Sequence, residues 1–126
     1  MKYRILVVED NQPNRELLSD WLEAEGFEVL AVENLSRAFA ALNDEPPHAI
    51  LLDVQLGMED GLTLATRVRQ ETRLRHIPVI AVTAHAMVTD QERVIRAGCN
   101  ACISKPIDFK LLNRELHQWL RKDSPI

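Results

Sequence analysis

Little in this sequence could anchor the chain to a membrane or cross-link it. Only two of its 126 residues are cysteine, too few for a disulfide framework. No apolar run approaches the roughly 20 residues a membrane helix needs. The apolar stretch after the N-terminus, Ile5 to Val8, is too short for a signal-peptide core, and no small-residue cleavage site follows it. The expectation is a soluble cytoplasmic protein. Lysine and arginine are scattered, with no dense basic block, and the net charge is −4. That argues against nucleic-acid binding, which needs a clustered positive surface. There is no repeat, linker or low-complexity stretch. The four histidines, His48, His76, His85 and His117, lack any paired metal-ligand spacing.

The two cysteines, Cys99 and Cys102, form a C-x-x-C motif. A redox motif of that kind sits where a strand ends and a helix begins, so that the helix N-terminus lowers a thiol pKa. Here the order is reversed. Cys99 follows Gly98, a helix stop, and Cys102 opens a strand, so the pair reads as two small, largely buried apolar residues.

What remains is 46% hydrophobic and long enough for one domain with a real core. Strand and helix alternate five times. Tyr3 to Val8 is β-rich. Pro13 suits a first helical turn, and Leu17, Leu18, Trp21 and Leu22 recur at helical spacing until Gly26. Phe27 to Val32 is a second strand. Ser36 is the candidate cap of a helix carrying Ala38, Phe39, Ala41 and Leu42, which Pro46 and Pro47 terminate. His48 to Val54 contains Ala49-Ile50-Leu51-Leu52, an unbroken apolar run that reads as a strand buried on both faces. Asp60 caps a helix with Leu62, Leu64, Ala65 and Val68 on one face. Pro78 to Ala84 is a fourth strand, about Ala86 to Ala97 a helix, and Ala101 to Ser104 a fifth strand. Asp108 starts a last helix with Leu111, Leu112, Leu116, Trp119 and Leu120. Residues 1–122 read as the domain and 123–126 as a tail. Trp21 and Trp119 read as packing residues.

Strict β–α alternation with apolar strands implies a parallel sheet covered by helices on both faces, a three-layer α/β/α sandwich. Ligands in such sheets bind outside the carboxyl ends of the strands. Polar groups stand at those ends: Glu9-Asp10 after the first strand, Asp53 after Ile50-Leu51-Leu52, Thr83 after the fourth, and Ser104-Lys105-Pro106 after the fifth. Any one of them has an ordinary structural explanation as a turn, cap or solvated residue. An unpaired buried carboxylate such as Asp53 is costly, however, and the four together point to a site. Clustered carboxylates call for a hard divalent cation with oxygen ligands, and Mg²⁺ is the common choice where phosphate is involved. A lysine and a hydroxyl beside the metal complement a phosphoryl group. Asp53 can then act as nucleophile toward phosphorus, with the metal and Lys105 stabilising charge on the equatorial oxygens.

The motifs Val7-Val8-Glu9-Asp10-Asn11, Leu51-Leu52-Asp53-Val54-Gln55-Leu56, Glu59-Asp60-Gly61, Val82-Thr83-Ala84 and Ser104-Lys105-Pro106 resemble the receiver domains of two-component response regulators. The resemblance covers about Tyr3 to Leu120. It implies a flavodoxin-like sheet of five strands in the order 2-1-3-4-5 with five helices, an order for which a chemotaxis member of this family is the standard illustration. It implies Asp53 as phosphoacceptor, and Mg²⁺ (Mn²⁺ as a substitute) held by Asp10, Glu9, Asp53 and the backbone carbonyl of Gln55. Lys105 would pair with the phosphoryl oxygens, and its bond to Pro106 would be cis. Thr83 would swing onto the phosphoryl group, carrying the change through Ala84 to a partner-binding surface. The donor would be a phosphohistidine on a sensor kinase or phosphotransfer domain, and the recipient of the signal an effector protein. The domain would not be a conventional enzyme: it would catalyse its own phosphorylation and slow dephosphorylation, as a monomer or a phosphorylation-dependent dimer.

Two departures stand out. Members of the family usually carry Tyr or Phe where this chain has Cys102, so switching is expected to be weaker, or to be read through the loop after Thr83 and the helix beginning near Ala86. Gly57 stands where Pro is common, which leaves the loop more freedom. His85, two residues past Thr83, is a candidate for tuning acyl-phosphate hydrolysis. The competing readings are a phosphatase with an Asp nucleophile and a degenerate receiver that only docks partners. The phosphatase reading wants a second Asp where Gln55 stands, and a cap domain. The degenerate reading sits badly with Glu9, Asp10, Asp53, Thr83 and Lys105 all present.

Overall fold

The computed structural model describes residues 2–84 and 87–122. His85 and Ala86 and the tail at 123–126 lie outside the described residues. Among the described residues, seven strands and five helices follow one another as β1 (Arg4–Val8), α1 (Gln12–Ala24), β2 (Glu28–Val32), α2 (Leu35–Asp44), β3 (Ala49–Asp53), β4 (Gln55–Leu56), β5 (Glu59–Asp60), α3 (Leu62–Gln70), β6 (Val79–Thr83), α4 (Val88–Arg96), β7 (Ala101–Ser104) and α5 (Phe109–Lys122). Five strands form one parallel sheet in the order β2-β1-β3-β6-β7. With β4 and β5 set aside as a separate hairpin, this is the 2-1-3-4-5 arrangement.

Side chains of a strand alternate between faces, and this divides the core in two. Leu6, Val8, Ile50, Leu52, Val79 and Ala81 pack toward α2, α3 and α4 with Leu42, Leu64, Val68 and Val94. Ile5, Val7, Ala49, Leu51, Ile80 and Ile103 pack toward α1 and α5 with Leu18, Leu22, Leu112 and Leu116. The central strand β3 is buried along its whole length, as an unbroken apolar run between two helix layers must be. None of the helices among the described residues is long and apolar enough to cross a membrane.

The local chemistry at helix starts differs from the sequence reading in two places. The cap of α2 is Asn34, whose side chain accepts from the Arg37 N–H, and not Ser36. Asn and Ser are both good caps, and β2 ends early enough for the first of them to serve. The residue before α3 is Gly61, which has no side chain to cap with. Asp60 still takes up one helix-start donor, the Leu62 N–H, at 3.0 Å. Cys99 is buried and Cys102 half-buried, both as free thiols. Trp21 and Trp119 pack at the edge of the α1/α5 core.

Candidate functional site: an acidic cluster at the strand ends

Alternation and register together assemble the site. Glu9 follows Val7 by two residues, Asp53 follows Leu51 by two and Lys105 follows Ile103 by two. Val7, Leu51 and Ile103 all face α1 and α5, so the three polar groups emerge on that same face. The pairing of Val8 with Leu52 brings the ends of β1 and β3 level. Thr83 is in step with Ala81 and thus belongs to the opposite, α4-facing side, level with Ser104.

The result is a compact constellation. Carboxylate oxygens of Glu9, Asp10 and Asp53 lie within 4.8 Å of one another. Glu9 and Asp53 are buried, Asp10 exposed. The Lys105 ammonium donates to Asp53 Oδ2 at 2.9 Å and to Glu9 Oε1 at 3.4 Å. The Lys105 backbone N–H donates to the Thr83 carbonyl at 2.8 Å, and the Lys105–Pro106 peptide is cis. Thr83 is itself buried.

One ammonium faces three carboxylates, and the ionisation of the site shows the imbalance. Burial, then the hydrogen bond and charge of Asp53, push the Glu9 carboxyl up from 4.5 to about 7 against the pull of Lys105. Burial also works against the Lys105 ammonium. Its hydrogen bond to Asp53 and the charges of Asp53 and Glu9 outweigh that cost and hold its pKa above the ordinary lysine value. A donor set of three oxygen-bearing acids in one spot, short of positive charge, suits a hard divalent cation.

The β4–β5 hairpin, which is not among the strands the sequence predicts, completes the site. Leu56 pairs with Glu59 across a two-residue turn, Gln55 with Asp60, and the Gly61 N–H donates to the Val54 carbonyl at 2.7 Å. The Val54 N–H donates to the Val82 carbonyl at 3.1 Å, which ties the start of the hairpin to β6. The Gln55 N–H donates to Asp53 Oδ1 at 3.0 Å.

Two glycines permit this loop. Gly57 opens the turn at φ +60°, a conformation that glycine adopts freely and proline, fixed near −65°, cannot reach. A Cβ at Gly61 would overlap the Asp53 carbonyl oxygen and stand 3.1 Å from that of Val54. The hairpin is also tied outward. Glu59 accepts from the Leu35 N–H at the start of α2 at 3.2 Å, and Asp60 pairs with Arg93 of α4 at 3.5 Å.

Next to the cluster, a groove of about 510 Å³ runs between α1 and the start of α5, lined by Glu9, Leu17, Leu18, Lys105, Ile107 and Phe109 among others. Leu17 is 56% exposed on its rim. Sequence reasoning did not single out Arg15, whose guanidinium caps the carbonyls of Glu9 and Asp10. A basic residue one helical turn after an acidic pair is a faint signal at best.

A family profile described as the response regulator receiver domain matches residues 5–117. The polar-differentiation response regulator DivK of Brucella anthropi is 43% identical over 120 residues, covering 95% of this chain and 98% of that protein. Its counterpart in Brucella ovis is 42% identical over the same coverage. Among solved structures, the signal receiver domain of a signal transduction histidine kinase from Syntrophus aciditrophicus superposes with a TM-score of 0.90 at 29% identity, covering 98% of this chain and 94% of that one. The receiver domain of a Francisella response regulator gives 0.90 at 17% identity, covering 98% and 100%, a likeness of fold alone.

Proposed function

Since the chain belongs to the response regulator receiver family, we propose that it takes a phosphoryl group from a phosphohistidine onto Asp53 in a Mg²⁺-dependent reaction and thereby switches a partner-binding surface. The observation that carries this reading is the Asp53 carboxylate: buried, held at one oxygen by Lys105 and at the other by the Gln55 N–H, and grouped with Glu9 and Asp10.

Each group has a task in the transfer. Glu9, Asp10, Asp53 and the Gln55 carbonyl are the residues that would hold the cation. When bound, Mg²⁺ (or Mn²⁺ in its place) supplies positive charge beside the transferring oxygens. An Asp53 oxygen attacks phosphorus as the bond from phosphorus to the donor imidazole nitrogen breaks, and that nitrogen leaves with its electron pair. The product on this chain is an acyl phosphate. Lys105, already within reach of Asp53, offsets charge growing on the phosphoryl oxygens. The hairpin fixes the carboxylate, so that transfer begins from an oriented nucleophile. Thr83 and Ala84, at the end of β6, are the first residues to respond, and hydrolysis of the acyl phosphate by water is the slow reset.

The groove between α1 and α5 fits the donor. It is lined by Glu9 and Lys105, the neighbours of Asp53, and otherwise mainly by apolar side chains. A sensor kinase or phosphotransfer domain is the partner for this face, an effector protein the partner for the switched one. We place the domain in the cytoplasm, as a monomer or a phosphorylation-dependent dimer with no nucleic-acid contact of its own. Incubation with a small phosphoryl donor and Mg²⁺, read by intact mass, tests the core of this. Addition of one phosphoryl group that is absent in Asp53→Asn and abolished by a chelator is the expected result. Rapid multiple turnover of a phosphomonoester would make the protein a phosphatase instead, and no labelling under any condition would leave only a docking role.

A further inference from the structure

The turn from β1 into α1 carries two of the three clustered carboxylates, and Asp10 stands exposed there. The course of its backbone therefore decides where its side chain points. That backbone is held from α1. Asn11 caps the helix through the Asn14 N–H at 3.0 Å, and the Arg15 N–H donates to the Asn11 carbonyl at 2.9 Å. The Arg15 side chain then reaches back over the turn, where one guanidinium nitrogen donates to the Glu9 carbonyl at 2.9 Å and to the Asp10 carbonyl at 3.3 Å. Ser19, a further turn along, donates to the Arg15 carbonyl at 2.8 Å.

We propose that Arg15 is a positioning residue for the cation site: by gripping two consecutive carbonyls it fixes the peptides on either side of Asp10, so that the Glu9 and Asp10 carboxylates reach the same point as Asp53. This rests on the reading that the cluster takes a divalent cation. Arg15 touches neither the cation's oxygen ligands nor a substrate; it acts through the main chain that carries them. Loss of an outer-shell group that orients metal ligands typically costs about 10–100-fold in metal affinity.

The charge of Arg15 gives the proposal a distinctive sign. Considered as a charge alone, a guanidinium near the site repels a cation, so its removal would tighten metal binding. Considered as a clamp, its removal loosens Asp10 and weakens binding. The test is titration of the full chain with Mn²⁺, the free ion being followed by its electron paramagnetic resonance signal, in wild type, Arg15→Gln and Arg15→Lys. The clamp predicts affinity about tenfold weaker in Arg15→Gln, with Arg15→Lys in between. It also predicts that labelling by a small phosphoryl donor returns to the wild-type rate at saturating metal, with the half-saturating concentration raised by about the same factor. Binding at wild-type strength or tighter in either folded variant overturns the proposal. Failure of the wild type itself to bind Mn²⁺ would overturn the cation reading and not the clamp in particular. Arg15→Lys keeps the test open should Arg15→Gln fail to fold.

Discussion

Without metal, the acidic cluster makes the protein less stable as pH rises, and one substitution isolates the effect. The Glu9 carboxyl is raised from 4.5 to about 7 by burial and by Asp53. Between those values the folded chain holds a proton that the unfolded chain has released. Raising the pH then favours unfolding: the stability is full below about 4.5 and is lost progressively as pH climbs toward and past 7. At about 1.36 kcal/mol for each pH unit, the displacement amounts to roughly 3 kcal/mol as an upper bound. Glu9→Gln removes the titration but keeps an acceptor for Lys105 and gains a donor toward Asp53, much as protonated Glu9 would. In urea melts with a chelator present, the variant is expected to match wild type near pH 4 and to exceed it by about 2–3 kcal/mol near pH 8. The difference between the two curves cancels the titrating groups that Glu9 does not touch, and leaves Glu9 together with its effect on Asp53 and Lys105. Added Mg²⁺ is expected to close the gap by stabilising the wild type, since a ligand of the folded state alone raises its stability. If Glu9→Gln were no more stable than wild type at pH 8, the picture of three crowded carboxylates short of positive charge would be refuted.

Other consequences are as direct. Gly61→Ala forces a methyl group into the Asp53 and Val54 carbonyls and is expected to cost about 1–3 kcal/mol, or more if the hairpin cannot shift, measured by chemical denaturation. Burial pushes the Cys99 thiol up to about 12, so a thiol reagent at pH 8 is expected to modify at most one cysteine of the native protein, Cys102, and both only in denaturant. Rapid reaction of two thiols would contradict the packing. With a thiol where an aromatic ring is usual at Cys102, amide shifts on activation are expected to concentrate after Thr83 and along α4. Shifts spreading equally through β7 would show that the ring is dispensable for the usual route.

The site was legible in the sequence where the sheet dictates it. Ile50-Leu51-Leu52-Asp53 announces a strand buried on both faces with a carboxylate at its end, Val7-Val8-Glu9 does the same, and the short β-rich run Ala101 to Ser104 delivers Lys105 at the end of an edge strand. A parallel sheet then has no choice but to gather those ends. The β4–β5 hairpin was not legible, because no apolar alternation creates it. It is held by side-chain acceptors on backbone donors: Asp53 on Gln55, Glu59 on the distant Leu35, Asp60 on Leu62. Asn34 and Ser36 are equally acceptable caps on chemical grounds, and what separates them is the extended backbone of Asn34, which sets its side chain on the Arg37 N–H. The grip of Arg15 on the β1–α1 turn depends on where a long side chain folds back in space, which spacing along the chain does not encode.

Asp53, within its acidic cluster, is the group proposed to receive phosphorus. Borohydride reduction after labelling by a phosphoryl donor tests it most directly, since an aspartyl phosphate is cleaved to homoserine. Peptide mass spectrometry is expected to find homoserine at position 53, only when Mg²⁺ was present. Homoserine at another position, or phosphate that survives as a hydroxyl ester, would contradict it.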